Sequence, residues 1–192
     1  MRKLLFLLLL LGACPVVSQA QDDVPGFEVF GGYSYLRTGN PYDQNSHGWN
    51  TSVSANLTKH IAVKADFGGY YDRYSYNTTL GAVNVTNRVH TFLFGPQLNM
   101  RASERVNPFV HVLFGAANDK TFATRGAART AIVDVGFAMA AGGGVDAKLS
   151  DGVSFRIFQS DYLLTRYRDT TRLPLAKRNL HHFRLSTGLV FH

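Results

Sequence analysis

The sequence predicts an all-β fold, an eight-stranded antiparallel up-and-down transmembrane β-barrel, and three observations lead to it. Eight runs of about ten residues alternate apolar with polar or small side chains, the length and rhythm of a tilted strand crossing a bilayer. The joins between runs alternate long and short. No apolar-face position in those runs carries Lys, Arg, Asp or Glu, although His90 falls on that face. The 192 residues suffice for one domain. Its 14 Phe, 9 Tyr and 18 Gly favour strands with close backbone approach over helices.

The runs follow in order. The first, Phe27 to Leu36, sets Phe27, Val29, Gly31, Tyr33 and Tyr35 against Glu28, Gly32 and Ser34. The second sets Trp49, Thr51, Val53, Ala55 and Leu57 against Asn50, Ser52, Ser54 and Asn56. The third sets Ile61, Val63, Ala65, Phe67 and Tyr71 against Lys64, Asp66 and Gly68. All three are clean period-two patterns. In the fourth, Phe92, Phe94, Pro96 and Leu98 oppose Thr91, Gly95, Gln97 and Asn99. In the fifth, Val110, Val112 and Phe114 oppose His111 and Gly115. The sixth sets Phe137, Met139, Ala141, Val145 and Leu149 against Gly142, Gly144, Asp146 and Lys148. The seventh sets Val153, Phe155 and Ile157 against Ser154 and Arg156. The last sets Phe183, Leu185, Leu189 and Phe191 against His182, Arg184, Ser186 and Gly188.

Two places break the rhythm. Pro96 has no N–H for a ladder and reads as a bulge. Around Phe158, Gln159 and Asp161 the alternation slips, so the seventh strand either bulges or ends early. Short joins are expected at Thr58 to His60, Arg101 to Asn107 and Ser150 to Gly152. Long loops are expected at Thr38 to His47, Asp72 to Arg88, Asn118 to Asp134 and Leu164 to Asn179.

The first residues read as a leader. Met1-Arg2-Lys3 is a positive start, Leu4 to Leu11 is nearly all leucine, and Ser18-Gln19-Ala20 is a small-x-small cleavage signal. The apolar run is too short for a spanning helix, which needs about 20 residues. Residues 1–20 are thus assigned to a cleaved signal peptide, 21–26 to a short lead and 27–192 to the barrel. Leu11-Gly12-Ala13-Cys14 resembles a lipobox, but Gly12 is unusual there and the segment before Cys14 is very short; cleavage after Ala20 is preferred. Cys14 is the only cysteine, which excludes an intrachain disulfide.

The formal charge is +7. For an exported chain the economical partner is an anionic membrane surface and not nucleic acid. Charged residues make up 17% of the chain, whereas the surface of a soluble domain usually carries about 25–35%. The polar face of the runs is short and Gly-rich, as a crowded lumen requires. A barrel of eight strands is just wide enough for side chains to fill. Glu28, Lys64, Asp66, Asp146, Lys148, Arg156 and Arg184 are therefore expected to form a cross-lumen polar network, since unpaired charges there are costly. Tyr33, Tyr35, Trp49 and Tyr71 are expected near the outer interface of the membrane, and Phe27, Leu57, Ile61 and Phe191 near the inner one.

With these features in place, the chain resembles the OmpA-like and OmpX-like family of eight-stranded outer-membrane barrels. The likeness rests on the exported N-terminus, the opening strand FEVFGGYSYLR (Phe27 to Arg37), Phe94-Gly95-Pro96, Asn107-Pro108-Phe109 and the closing FRLSTGLVF (Phe183 to Phe191). It covers essentially all of the mature chain. The resemblance implies an outer-membrane location, short turns on the periplasmic side and recognition by the barrel-assembly machinery through the C-terminal strand. His192 after Phe191 departs slightly from the terminal-aromatic pattern. The longer relatives' peptidoglycan-binding domain is not carried over.

For function, the expectation is a structural or surface-interaction barrel, a monomer with lipid and lipopolysaccharide as partners and no cofactor. A narrow channel, a lipid-modifying enzyme and a soluble exported β-barrel binder are the competing readings. Catalysis would need a nucleophile beside its base, and the polar candidates His47, His90, Ser160 and Asp161 show no such pairing in sequence. No metal site is expected: His181 and His182 are neighbours on a strand, so their rings point to opposite faces. The last loop holds Arg166, Arg168, Arg172, Lys177 and Arg178 against Asp169 alone. These are candidates for holding phosphates or carboxylates through Arg forks, against a plainer role as a solvated loop. Gly142-Gly143-Gly144 within a strand points to bulky lumen neighbours or curvature.

Overall fold

A computed structural model describes residues 25–39, 44–78, 81–100, 103, 105–125, 128–168 and 177–192. It is a closed barrel in which each strand pairs with its sequence neighbours and the last pairs with the first. The strands are β1 (Phe27–Thr38), β2 (Gln44–Asn56), β3 (Ile61–Thr78), β4 (Gly81–Asn99), β5 (Val106–Arg125), β6 (Ala128–Ser150), β7 (Val153–Arg168) and β8 (Lys177–Phe191).

Ladder partners traced from Val29 round the barrel run through Val53, Ala65, Phe94, Phe114, Met139, Leu164 and His181. The carbonyl of His181 then accepts from the N–H of Gly39 at 2.8 Å. One circuit thus climbs from Val29 to Gly39, a stagger that tilts the strands by roughly 40°. Closure leaves no open sheet edge within the barrel wall, the condition for strands to survive in hydrocarbon.

The alternation seen in sequence sorts side chains by face. Phe27, Val53, Ile61, Phe94, Val112, Phe137, Phe155 and Leu189 point outward and are exposed, Phe94 by 61%. A continuous apolar surface this exposed is intolerable in water and natural in lipid. At one end three short turns close the hairpins. Thr58 Oγ1 accepts from the N–H groups of His60 and Ile61, and Ser103 Oγ from those of Arg105 and Val106.

Two sequence expectations are corrected, and the alternative left open for the seventh strand is decided. Asp72 to Arg88 and Asn118 to Asp134 are not loops: β3 and β4 stay paired to Thr78↔Gly81, and β5 and β6 to Arg125↔Ala128. Tyr, Val, Thr and Ile are plentiful there and pair as readily in water as in a membrane, so the ladders outlast the bilayer. Pro96 is not a bulge. It pairs with Val63 and faces outward; towards β5 the pairing lapses at Gly95 and Pro96 and resumes at Gln97↔His111 in unchanged register. Strand seven does not end early: it carries a bulge, with register shifts on both sides near Ile157 and Phe158. Both of these side chains point outward, at 50% and 44% exposure.

Candidate functional site

The barrel interior is the most highly constructed part of the molecule. Arg184, on β8, is fully buried. Its Nη1 donates to Asp66 Oδ1 of β3 at 2.7 Å, and its Nε donates to Asp161 Oδ2 of β7 at 2.7 Å. Asp66 also accepts from Asn50 Nδ2 at 3.1 Å. Asp161 accepts from Gln159 Nε2 at 2.7 Å, and His111 Nε2 stands 2.9 Å from its other oxygen. Gln159 in turn accepts from Arg156 Nη1 at 2.7 Å and from Lys64 Nζ at 3.3 Å.

Arg156 forks onto Asp146, with Nε to Oδ1 at 2.7 Å and Nη2 to Oδ2 at 2.9 Å. Its guanidinium is held between the rings of Phe30 and Phe109, each centroid 4.3 Å away. The two carboxylate bonds and two π faces meet the cation from every side, as a charge in a low-dielectric interior requires. Lys64 rests over Phe109 at 5.0 Å. Glycines make room for this cluster. A Cβ on Gly142 would stand 2.2 Å from Asp161 Oδ1, and one on Gly144 would stand 2.9 Å from the Phe109 ring.

Towards the short turns a second chain links Gln97, Asn99, Asn56 and Glu28 through bonds of 2.8, 3.1 and 2.9 Å. It borders a cavity of about 710 Å³ at the turn end, lined by Glu28, Arg105, Asp146, Lys148 and Ser154 among others. Towards the long hairpins the lumen turns apolar. Leu36, Tyr70, Leu93, Leu113, Leu163, Tyr167 and Leu180 pack into one buried cluster. Tyr70 joins the layers, because Arg184 Nη1 and Ser34 Oγ both lie 3.5 Å from its hydroxyl.

Five of the seven residues expected in the lumen, Lys64, Asp66, Asp146, Arg156 and Arg184, fall in the central polar cluster around Arg184 and Arg156, and Glu28 lies in the turn-side chain. Lys148 does not join them. It stands at the rim, its side chain 48% exposed, and pairs with Asp151 at 2.8 Å. It is still paired with Ser154 of β7, but at the open turn end, where it lines the cavity and water reaches it. The Lys148 hydrogen bond and charge hold the Asp151 carboxyl below its ordinary range.

Sequence reasoning put His111 on the polar face but left it out of the network, and it missed Gln159, Asp161 and the apolar layer as lumen groups; Asp161 is 1% exposed in mid-barrel. The bulge is the cause: two consecutive outward residues put Gln159 and Asp161 back in phase with the interior. His47, His90, Ser160 and Asp161 are not brought together. His47 pairs with Tyr33 and His90 with Tyr71 on the outer wall, while Ser160 and Asp161 lie on opposite sides of β7. His181 faces out and bonds Tyr162, whereas His182 faces in between Thr38 and Thr165. Among the described residues no three His, Cys, Asp or Glu side chains converge as a metal site.

The last loop is shorter than expected: Arg166 and Arg168 lie on β7, paired with Asn179 and Lys177 of β8, and Arg178 is also on β8. Arg166 is exposed; the side chains of Arg168, Lys177 and Arg178, and all of Arg172, lie outside the described residues. Tyr33, Tyr35, Trp49, Tyr71 and Tyr162 form an outward aromatic band at the long-hairpin end. Phe27, Leu57, Ile61 and Phe191 form an outward apolar band at the turn end. An apolar wall bounded on one side by an aromatic band is the mark of a barrel seated in a bilayer.

Fold, apolar wall and aromatic band define a transmembrane β-barrel of the outer-membrane class. The sequence matches the family of the outer membrane protein beta-barrel domain over residues 6–186, and the chain belongs to that family, which places it in the bacterial outer membrane. Comparison with curated proteins finds no match. Among solved structures it is similar to Ail, the attachment invasion locus protein of Yersinia pestis, with TM-score 0.60 and 14% identity over 88% of this chain and 100% of that one. It is also similar to Neisserial surface protein A, with TM-score 0.55 and 10% identity over 87% and 97%. OprG from Pseudomonas aeruginosa gives TM-score 0.52 and 10% identity over 86% and 94%. At such identities the likeness is one of fold.

Proposed function

We propose that this protein is a monomeric surface-interaction barrel whose lumen is closed by its own side chains and whose extracellular strands present a recognition surface. The observation that carries the reading is the unequal height of the wall. Pairing of β6 with β7 begins at Phe137↔Arg166, yet β6 starts at Ala128 and stays paired with β5 throughout. Likewise β3 runs to Thr78, while its ladder with β2 stops at His47↔Tyr71. Strands β3 to β6 thus continue as a sheet beyond the rest of the rim, by roughly 30 Å along β6. Its Ile132, Val133 and Val135 are exposed, Val135 by 65%. Strand edges and apolar side chains held away from lipid are features a partner can use.

The closed lumen is supported by Arg184 bridging Asp66 and Asp161 below a layer of leucines. The same reading includes export by the leader of residues 1–20, assembly through the C-terminal strand, and anionic surface groups as ligands of the last loop. It includes no catalytic step. Two measurements test it. In planar bilayers the refolded protein is expected to show no conductance steps above background; regular steps would favour a channel. On intact cells, Val133→Cys is expected to react with a membrane-impermeant maleimide and Leu57→Cys is not. The reverse labelling would overturn the assigned orientation.

A further inference from the structure

Among the described side chains, the charges of the extracellular strands are sorted by sign. On the outer face of β3, Arg73 continues the row of Phe67, Gly69 and Tyr71. On β4, Arg88 continues the row of Phe94, Phe92 and His90, and on β5 Lys120 that of Phe114 and Ala116. Arg37 on β1 and Arg166 on β7 also face outward and are exposed. The acids of the same region, Asp72, Asp119 and Asp134, occupy positions that alternation assigns to the inner face. Cations therefore crown the lipid-facing wall just beyond its aromatic band, where headgroups begin.

The cations gather most closely on β3 to β5. Tyr71 is the ladder partner of Arg88, and Arg88 of Lys120, while Arg73 pairs with Thr86. A depression of about 520 Å³ opens there, lined by Tyr71, Asp72, Arg73, Thr86 and Arg88; alternation directs the Asp72 side chain to the other face of β3. Phe122 supports the Arg88 guanidinium at 5.4 Å. Two guanidiniums, an ammonium, a phenol and a hydroxyl offer donors suited to a phosphate. Their height on a lipid-facing wall selects a phosphate that the membrane itself brings.

We propose that the outward cleft of Tyr71, Arg73, Thr86 and Arg88, flanked by Lys120, binds a phosphate group of an outer-leaflet glycolipid headgroup. This site shares the β3–β6 sheet, with Lys120 paired to Val133, but it depends neither on the closed lumen nor on what that sheet recognises, so the lipid test below separates them.

The test extracts the folded full-length barrel from phosphatidylcholine vesicles containing bisphosphorylated lipid A and counts retained lipid A by native mass spectrometry. Arg73→Gln/Arg88→Gln is expected to lower retention about tenfold, and lipid A stripped of phosphate to be retained about tenfold less. Arg37→Gln, on β1 and away from the cleft, is expected to change retention by less than about twofold. Inorganic phosphate at about 20 mM is expected not to displace the lipid, because it lacks the acyl anchor. Undiminished retention by the folded R73Q/R88Q protein, or equal retention of dephosphorylated lipid A, would overturn the assignment. Displacement by free phosphate would overturn the choice of a lipid headgroup. Should the double variant fail to insert, Lys120→Gln alone decides, with a loss of about threefold expected and none overturning the proposal.

Discussion

Arg184 on the last strand donates to Asp66 on β3 at 2.7 Å, across the lumen and 118 residues away in sequence. The same guanidinium holds Asp161 of β7. One side chain thus ties the closing strand to both sides of the barrel, and its removal strands two buried carboxylates. Arg184→Met is expected to destabilise the folded barrel by about 3–5 kcal/mol, since breaking a buried pair costs far more than the pair itself contributes. Urea unfolding in lipid vesicles measures this. Adding Asp66→Asn and Asp161→Asn should recover most of the loss; no recovery would mean that packing, not charge, sets the cost.

Lys64 is the contrasting case. It is fully buried, donates to the neutral Gln159 and rests over Phe109. Among the described residues no carboxylate lies within ion-pair distance of it. Lys64→Met keeps the stem and removes a desolvated ammonium that shares its layer with Arg156 and Arg184. The expected change is within about 1 kcal/mol, or a gain. A loss as large as that of Arg184→Met would show that Lys64 bears more of the network than its contacts indicate.

The outer wall was legible in the sequence because lipid imposes one rule on every strand: no charge on the face it touches. Phe27, Val53 and Phe94 all obey it. The interior follows no such single rule. Leu36, Leu93 and Leu113 face inward beside Asp66 and Arg184, so an apolar layer there leaves no contrast for a period-two pattern to reveal. Nor can alternation say which charges pair, since Arg184 and Asp66 meet only through the stagger of the whole circuit. The long ladders of β3 to β6 were hidden for another reason. Polar residues such as Asp72 and Asn118 resemble loop residues, yet an antiparallel hairpin in water accepts them on both faces.

Crowding at Gly142 gives a graded prediction. A Cβ there would stand 2.2 Å from both Asp161 Oδ1 and the Ser160 carbonyl, whereas at Gly31 nothing lies within 4 Å. Gly142→Ala is expected to cost about 1–3 kcal/mol through overpacking. Gly31→Ala should be neutral or slightly stabilising, because it only restricts the unfolded chain. Unfolding midpoints of the two variants compare them directly, and equal effects would refute the argument.

The bulge of β7 makes the sharpest claim about register. Arg156 faces in, Ile157 and Phe158 both face out, and Gln159 and Asp161 face in again. Deleting Ile157 would restore strict alternation and leave Gln159 and Asp161 directed at the lumen, so the barrel should still fold. Deleting Leu163 instead, where the ladder is regular on both sides, would turn Thr165 and Tyr167 out to lipid and Arg166 inward. Migration in SDS gels before and after boiling distinguishes the outcomes. The Ile157 deletion is expected to keep a heat-modifiable folded band, and the Leu163 deletion to lose it. If both deletions behave alike, the extra residue is not what sets the phase of the strand.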